Sequence, residues 1–179
     1  DTFGWERAKW FASPGVSEVY GFRRSNWFDT VGEECWAVRE QVGLLDLSSF
    51  AKYEVQGRDA RALLQRVCAN RVPGRDGAVV LTQMLTALGG IESEATVTRL
   101  SDDHYYLLSA ATAEIHDLDW LVQHINSGEA VSVTNVTDEC GVLVLTGPQS
   151  RDVLASLTDA GLDNEDGFTW MTAREITVA

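Results

Sequence analysis

Glu92 and Glu94 are the side chains in this sequence best placed to do chemistry. They follow a Gly89-Gly90 pair inside residues 81–97 (LTQMLTALGGIESEATV), which reads as strand, tight turn, strand. Two glycines let the backbone take positive φ without steric cost, as a short hairpin requires. The period of two puts Ile91, Ser93, Ala95 and Val97 on one face and Glu92, Glu94 and Thr96 on the other. A carboxylate in a mostly apolar cleft can hold a cationic nitrogen, orient a ring N–H or take a proton. Glu94 lies deeper in the strand and is the better candidate. Charged residues are mostly exposed, so solvated surface is the ordinary reading, and a polar pocket floored by both acids is the alternative.

Positioning these acids falls to an alternation of strands and helices. Residues 29–41 carry Val31, Cys35, Trp36 and Val38 at roughly helical spacing, closed by Gly43. Residues 44–48 read as a short bend and 51–56 as a strand. A helix over 58–70 places Leu63, Leu64 and Val67 on one face. Strands are expected at 79–85, 92–100 and 104–109. A helix follows over 111–125, with Glu114 and Asp117 in its first half suiting the helix dipole. Strands at 131–135 and 141–146, a helix at 151–157 and a strand within 169–179 complete the order. This pattern predicts an α+β chain with largely antiparallel sheets. Residues 1–28, aromatic and basic with a Pro14-Gly15 turn signal, read equally as an arm or linker packing on a neighbour and as coil with buried anchors.

The 179 residues are 45% hydrophobic, enough to bury a real core, and the net charge is −13. That balance argues against nucleic acid, whose phosphates need clustered Lys and Arg, and against an anionic membrane surface. No apolar run is long enough for a transmembrane helix, and no signal peptide is visible. Cys35, Cys68 and Cys140 are separated and odd in number, which fits a reducing compartment: cytoplasm, or the mitochondrial matrix in a eukaryote. With no HExxH and no CxxC, no metal site is expected. Gly147-Pro148-Gln149-Ser150 sits between strand and helix but lacks both phosphate-loop patterns, so a plain turn is preferred. His104, Ser109, Asp102 and Asp103 are hairpin neighbours and form no triad. Acids beside Cys140 blunt its nucleophilicity. The first and last residues look cut, and a piece of a longer polypeptide is expected.

Several segments, in order along nearly the whole chain, carry a resemblance. They are Phe3-Gly4-Trp5-Glu6-Arg7, Asn26-Trp27-Phe28, residues 43–53 (GLLDLSSFAKY), Ala69-Asn70, Met84-Leu85 with the turn after it, and residues 114–120 (EIHDLDW). Asn135-Val136-Thr137-Asp138-Glu139, Gly141-Val142-Leu143 and Thr146-Gly147-Pro148-Gln149-Ser150 continue it. Together they resemble the folate-binding domain of the dimethylglycine and sarcosine dehydrogenases, a branch of the aminomethyltransferase (glycine-cleavage T-protein-like) superfamily. The resemblance implies that fold, with a ferredoxin-like second subdomain and a C-terminal β-barrel beyond this chain. It divides the chain into an arm or linker from an upstream flavin domain (1–28), a first folate-binding subdomain (29–110) and an incomplete second one (111–179).

In such enzymes a flavin oxidises an N-methyl group, and the one-carbon unit passes to tetrahydrofolate as 5,10-methylenetetrahydrofolate. This sequence has no GxGxxG near its start, so FAD is expected in an upstream domain of the same polypeptide. The implied partners are the small-molecule folate and that domain, with an oligomer open and neither nucleic acid nor membrane expected. The isolated piece is expected to be inactive. Glu94 falls where most of the superfamily carries an essential aspartate, Leu81 where the aminomethyltransferases carry a folate-contacting tyrosine, and Ser109 where they carry an asparagine. Thr82, Met84 and Thr96 are compatible with folate binding. The resemblance thus implies a catalytic Glu94, with Thr82, Met84, Glu94, Thr96 and Ser109 holding the cofactor. A flavin-free aminomethyltransferase or demethylase, and a non-catalytic scaffold of the same fold, are the alternative readings.

Overall fold

A computed structural model describes residues 4, 6, 8–163 and 168–179. Of the Phe3–Arg7 motif, Phe3, Trp5 and Arg7 lie outside the described residues. Two compact units are present: residues 1–47, 143–160 and 177–179 form one, and residues 48–142 and 161–176 the other. The expected divisions at 28 and 110 fall inside these units: the first unit runs on to residue 47, and the strand Ser132–Asn135 joins the sheet of the second.

The first unit holds helix α1 (Phe28–Glu40), strand β1 (Gly43–Asp46), strand β7 (Leu143–Thr146) and the short helix α4 (Ser150–Ala155). β1 and β7 pair antiparallel, Leu44 against Leu145 and Leu45 against Val144. Residues 44–48 are therefore not merely a bend. A double leucine without alternation hides a four-residue strand whose partner lies far along the chain. Gly147 is a plain turn at φ +112, where a Cβ would stand 2.5 Å from the carbonyl oxygen of Gln41. Residues 8–27 are coil and turns with local anchors. Trp10 stacks on Trp27 at 5.0 Å, Lys9 pairs with Glu18 at 2.5 Å, and the Arg24 guanidinium sits 4.4 Å from the Phe28 ring centroid. Phe11, Tyr20 and Phe22 remain exposed.

The second unit is a five-stranded antiparallel sheet in the order β3-β4-β5-β2-β6. Its strands are β2 (Ala51–Gln56), β3 (Val79–Leu85), β4 (Ile91–Ser101), β5 (His104–Ser109) and β6 (Ser132–Asn135). Alternation decides the inner face. Tyr53 and Val55, Met84, Val97, and Tyr105 and Leu107 are buried together with Ala60, Leu63, Leu64 and Val67 of helix α2 (Ala60–Val67) and Leu121 of helix α3 (Glu114–Gln123).

α2 is shorter than the expected 58–70 for local reasons. Asp59 does not cap the helix, and its carboxylate accepts the N–H of Ala130 at 2.7 Å instead. At the other end Cys68 turns extended to bridge Met84, and Ala69 donates to the Gln83 carbonyl at 2.8 Å. The strand expected within 169–179 does not form. Met171 takes a left-handed φ of 56, and Thr172 makes one isolated bridge to Ala78.

Leu64 is fully buried in this core, whereas Leu88 at the hairpin tip is exposed. Leu64→Ala should lower the free energy of unfolding by about 2–5 kcal/mol, and Leu88→Ala should change it by less than about 0.5 kcal/mol, both read by urea unfolding. Gly57 has φ +127, and an added Cβ would lie 2.2 Å from the Ala130 carbonyl oxygen. Gly57→Ala combines a strained backbone with a clash and should cost about 2–4 kcal/mol in the same assay.

Candidate functional site

Cross-strand register builds the outer face of the sheet row by row. Leu81 pairs with Thr96, Thr96 with Leu108, and Leu108 with Lys52, so these four line one row. Gln83 pairs with Glu94 in the next row. Their alternation with the buried Thr82, Ala95 and Ser109 places both rows on the face turned away from the α2 core.

This face is closed at one end and open at the other. Lys52 is fully buried, and its ammonium donates to the Ser48 carbonyl at 2.7 Å. Toward β3 the face opens: Leu81 is 47% exposed, Glu94 is exposed and Thr96 half-buried. Glu94 is steadied by the Gln83 amide, which donates to its carboxylate at 2.9 Å. A neutral donor orients the carboxylate while leaving its charge uncompensated. The surface offers a small apolar floor with one oriented carboxylate beside it. A carboxylate set this way can accept a hydrogen bond from an N–H laid on the face.

The five expected site residues divide between the two faces. Glu94 and Thr96 share the open outer face. Thr82, Met84 and Ser109 point inward. Thr82 accepts the backbone N–H of Asn70 at 3.0 Å, Met84 lies in the core, and Ser109 is buried in the row that runs Thr82, Ala95, Ser109, Ala51. These three support the strands from behind, and a ligand on the Glu94 side reaches none of them without crossing the sheet. Gln83 was missed, although its opposition to Glu94 follows from the register around the Gly89-Gly90 turn.

Glu92 does not join Glu94 in flooring a pocket. The β3–β4 ladder slips at the hairpin end: Met84 pairs with Ser93 and Leu85 with Ile91, leaving Glu92 unpaired in a bulge. A bulge re-aims its side chain. The Glu92 carboxylate reaches His116 of α3, 2.7 Å from Nε2. Ser93 donates to the buried Asp117 at 2.7 Å, and His116 Nδ1 lies 3.0 Å from the other Asp117 oxygen. Asp117 and Glu114 thus do more than suit a helix dipole, for Glu114 also accepts the Asn135 amide at 2.7 Å.

Other reactive groups are held in structural roles. Burial pushes the Cys68 thiol up to about 11, only partly offset by a hydrogen bond with Thr82, so it stays a protonated thiol at neutral pH. His104 faces Gln56 at 3.1 Å and Glu54 at 3.6 Å, Asp102 pairs with Arg99, and Asp103 accepts from Ser101 at 2.8 Å. They build no triad with Ser109. Among the described residues no three His, Cys, Asp or Glu side chains gather as a metal site, and no helix is long and apolar enough to cross a membrane.

Comparison with known proteins agrees with this architecture. The family model "GCVT N-terminal domain" matches residues 1–179. A mitochondrial dimethylglycine dehydrogenase of Rattus norvegicus is 37% identical over 179 residues, covering 98% of this chain and 21% of that protein. A formaldehyde-forming 4-methylaminobutanoate oxidase of Paenarthrobacter nicotinovorans is 35% identical over 164 residues, 90% of this chain and 20% of that protein. The chain thus spans about a fifth of the length of these relatives. The crystal structure of the glycine cleavage system aminomethyltransferase T from Bartonella henselae superposes with a TM-score of 0.64 at 26% identity, over 69% of this chain and 34% of that one. The matched family model, the relatives and the shared antiparallel α+β architecture together establish that this chain belongs to the GCVT N-terminal domain family.

Proposed function

We propose that the chain is the tetrahydrofolate-binding part of a flavin-dependent N-methyl-amine dehydrogenase or oxidase, acting on a substrate such as dimethylglycine or sarcosine. The observation that carries this reading is the placement of Glu94. It is an exposed carboxylate on the open half of the sheet, oriented by Gln83 and flanked by Leu81 and Thr96. The two relatives named for oxidation of methylated amines match over nearly the whole chain.

In this reading a FAD domain elsewhere in the polypeptide supplies the oxidation that releases the one-carbon unit. Leu81 and Thr96 support the pterin ring. Glu94 accepts a hydrogen bond from the secondary amine of tetrahydrofolate. Bound tetrahydrofolate would supply two amines that condense with the one-carbon unit at the level of formaldehyde, both N–H hydrogens leaving with its oxygen as water, and Glu94 would take the proton shed by the first amine and return it to that departing water. Glu94 is one methylene longer than the aspartate usual in the superfamily, so its carboxylate would reach correspondingly further from β4. Holding the acceptor close to the site of release works by proximity and limits loss of the unit as formaldehyde. The mitochondrial matrix is the compartment this reading assigns in a eukaryote.

A flavin-free aminomethyltransferase is the second reading, favoured by the structural likeness to aminomethyltransferase T. It keeps the same role for Glu94 and removes the upstream oxidation. One assay addresses both. In the full-length protein supplied with N-methyl amine and tetrahydrofolate, Glu94→Gln should lower the yield of methylenetetrahydrofolate about 100-fold or more, as expected for loss of a positioned base. Free formaldehyde should rise while amine oxidation stays near the parent rate. Equal coupling in variant and parent would remove Glu94 from the reaction. Absence of amine oxidation in a parent that still transfers the unit from an aminomethyl donor would favour the second reading.

A further inference from the structure

The Glu92, Ser93, His116 and Asp117 side chains join two consecutive residues of β4 to two consecutive residues of α3. Ser93 donates to Asp117 at 2.7 Å, His116 spans to Asp117 at 3.0 Å, and it reaches Glu92 at 2.7 Å. The grip falls at the bulge where the β3–β4 ladder slips, so Glu92 is held by His116 rather than by strand pairing. The ring closes next to the turn, which holds itself by Thr86 N–H to the Gly90 carbonyl and Gly89 N–H to the Thr86 carbonyl, each 2.9 Å, and by Gly90 N–H to Thr86 Oγ1 at 3.0 Å. Glu94 is two residues from Glu92 on the same strand. We propose that His116 is a positioning residue, and that the four side chains form a proton-dependent clamp holding the hairpin and the Glu94 strand to α3.

The physics follows from where the charges sit. Asp117 is fully buried, and a buried carboxylate is costly unless it is paired and hydrogen-bonded. A protonated His116 donates from both ring nitrogens, one to each acid, and leaves the cluster with a single net negative charge. A neutral ring has one N–H and can serve only one of the two acids, while Asp117 still accepts from Ser93. Glu92, on the solvent side, is the one that lets go, because Asp117 cannot regain water.

Other groups near the clamp do not replace the imidazolium. On the helix, Trp120 stacks beside His116 at 6.4 Å, and His124 lies beyond Trp120, its Nδ1 2.7 Å from the Trp120 carbonyl. From β2, burial pushes the Tyr53 phenol up, with Asp117 and Glu114 adding to it. Tyr53 therefore stays neutral and donates to the Glu114 carbonyl at 2.7 Å. From β6 the facing group is the Asn135 amide on Glu114.

The hydrogen bond to Asp117, then that to Glu92, hold the His116 ring protonated above the ordinary imidazole range, outweighing its partial loss of hydration. A pKa raised by folding gives a contribution that is full below the unfolded value of about 6.5 and is lost as pH rises through the folded value. The clamp therefore holds the hairpin in full below about pH 6.5 and releases it as pH rises through the raised value of the His116 ring.

The clamp stands on its own geometry; its consequence for one-carbon capture rests on the role given to Glu94 above. The test is amide hydrogen exchange of residues 86–93 in the full-length protein from pH 6 to pH 9, corrected for intrinsic rates. In the parent, protection should fall roughly 3- to 10-fold across this range, as a local opening. His116→Gln should exchange at the released rate already at pH 6 and show no pH dependence, whereas Glu92→Gln should weaken protection and shrink the dependence, since the His116–Asp117 pair survives. Ser93→Ala should weaken protection at every pH yet keep the dependence, since the charged pair survives. Protection that is flat with pH in the parent, or an unchanged fall in His116→Gln, would overturn the proposal. Methylenetetrahydrofolate yield measured alongside should follow the exchange profile in the parent and lose that component in His116→Gln. A clamp seen by exchange without a matching yield profile would count against Glu94 in the reaction and leave the clamp intact.

Discussion

The two-sidedness of β4 is the constraint on which the second unit depends. Hydrogen-bonded on both edges, to β3 and to β5, the strand cannot rotate to share its side chains differently. Ala95 and Val97 must enter the core, so Glu94 and Thr96 must leave it. A one-residue slip would bury Glu94 against α2 and expose the apolar face, a combination of desolvated charge and lost burial that fixes the register. The chemistry assigned to Glu94 thus follows from core packing.

Strand pairing is weakest where the sheet nears its hairpin, and there side chains take over from the backbone. The bulge at Glu92 breaks the ladder, and Ser93 and Glu92 turn to Asp117 and His116 of α3. A polar network of this kind holds two elements in one relative placement that apolar contacts alone would specify less sharply. At the far end of the same strand, Arg99 has a comparable role, tied to Asp76 and to the Gly74 carbonyl, 2.8 and 2.9 Å away. On the outer face between these ends Glu94 is exposed and Thr96 half-buried.

Much of this was legible in the sequence. The strands expected at 51–56, 79–85, 92–100 and 104–109 form as β2, β3, β4 and β5, alternation marking β2 and β4, and the Gly89-Gly90 turn sets β3 against β4. β1 was not legible as a strand, because its four residues lack alternation and pair with β7 far along the chain. The strand expected near the C-terminal residues failed at Met171, whose left-handed backbone has no glycine to announce it. At the site, parity already separated Glu94 and Thr96 from Thr82 and Met84 once the hairpin register was drawn. The Asp117–His116 grip was hidden because adjacent residues on a helix normally diverge, and only the bulge brings Glu92 around to meet them.

The central claim is that the open face beside Glu94 is where folate binds. Calorimetric titration of tetrahydrofolate into the full-length protein, with Glu94→Ala measured beside it, tests this most directly. The account predicts binding by the parent and an affinity at least about tenfold weaker in the variant, as for loss of a charge-assisted hydrogen bond. Equal affinity in the two proteins, or no binding by either, would contradict it and leave a family fold retained as a scaffold.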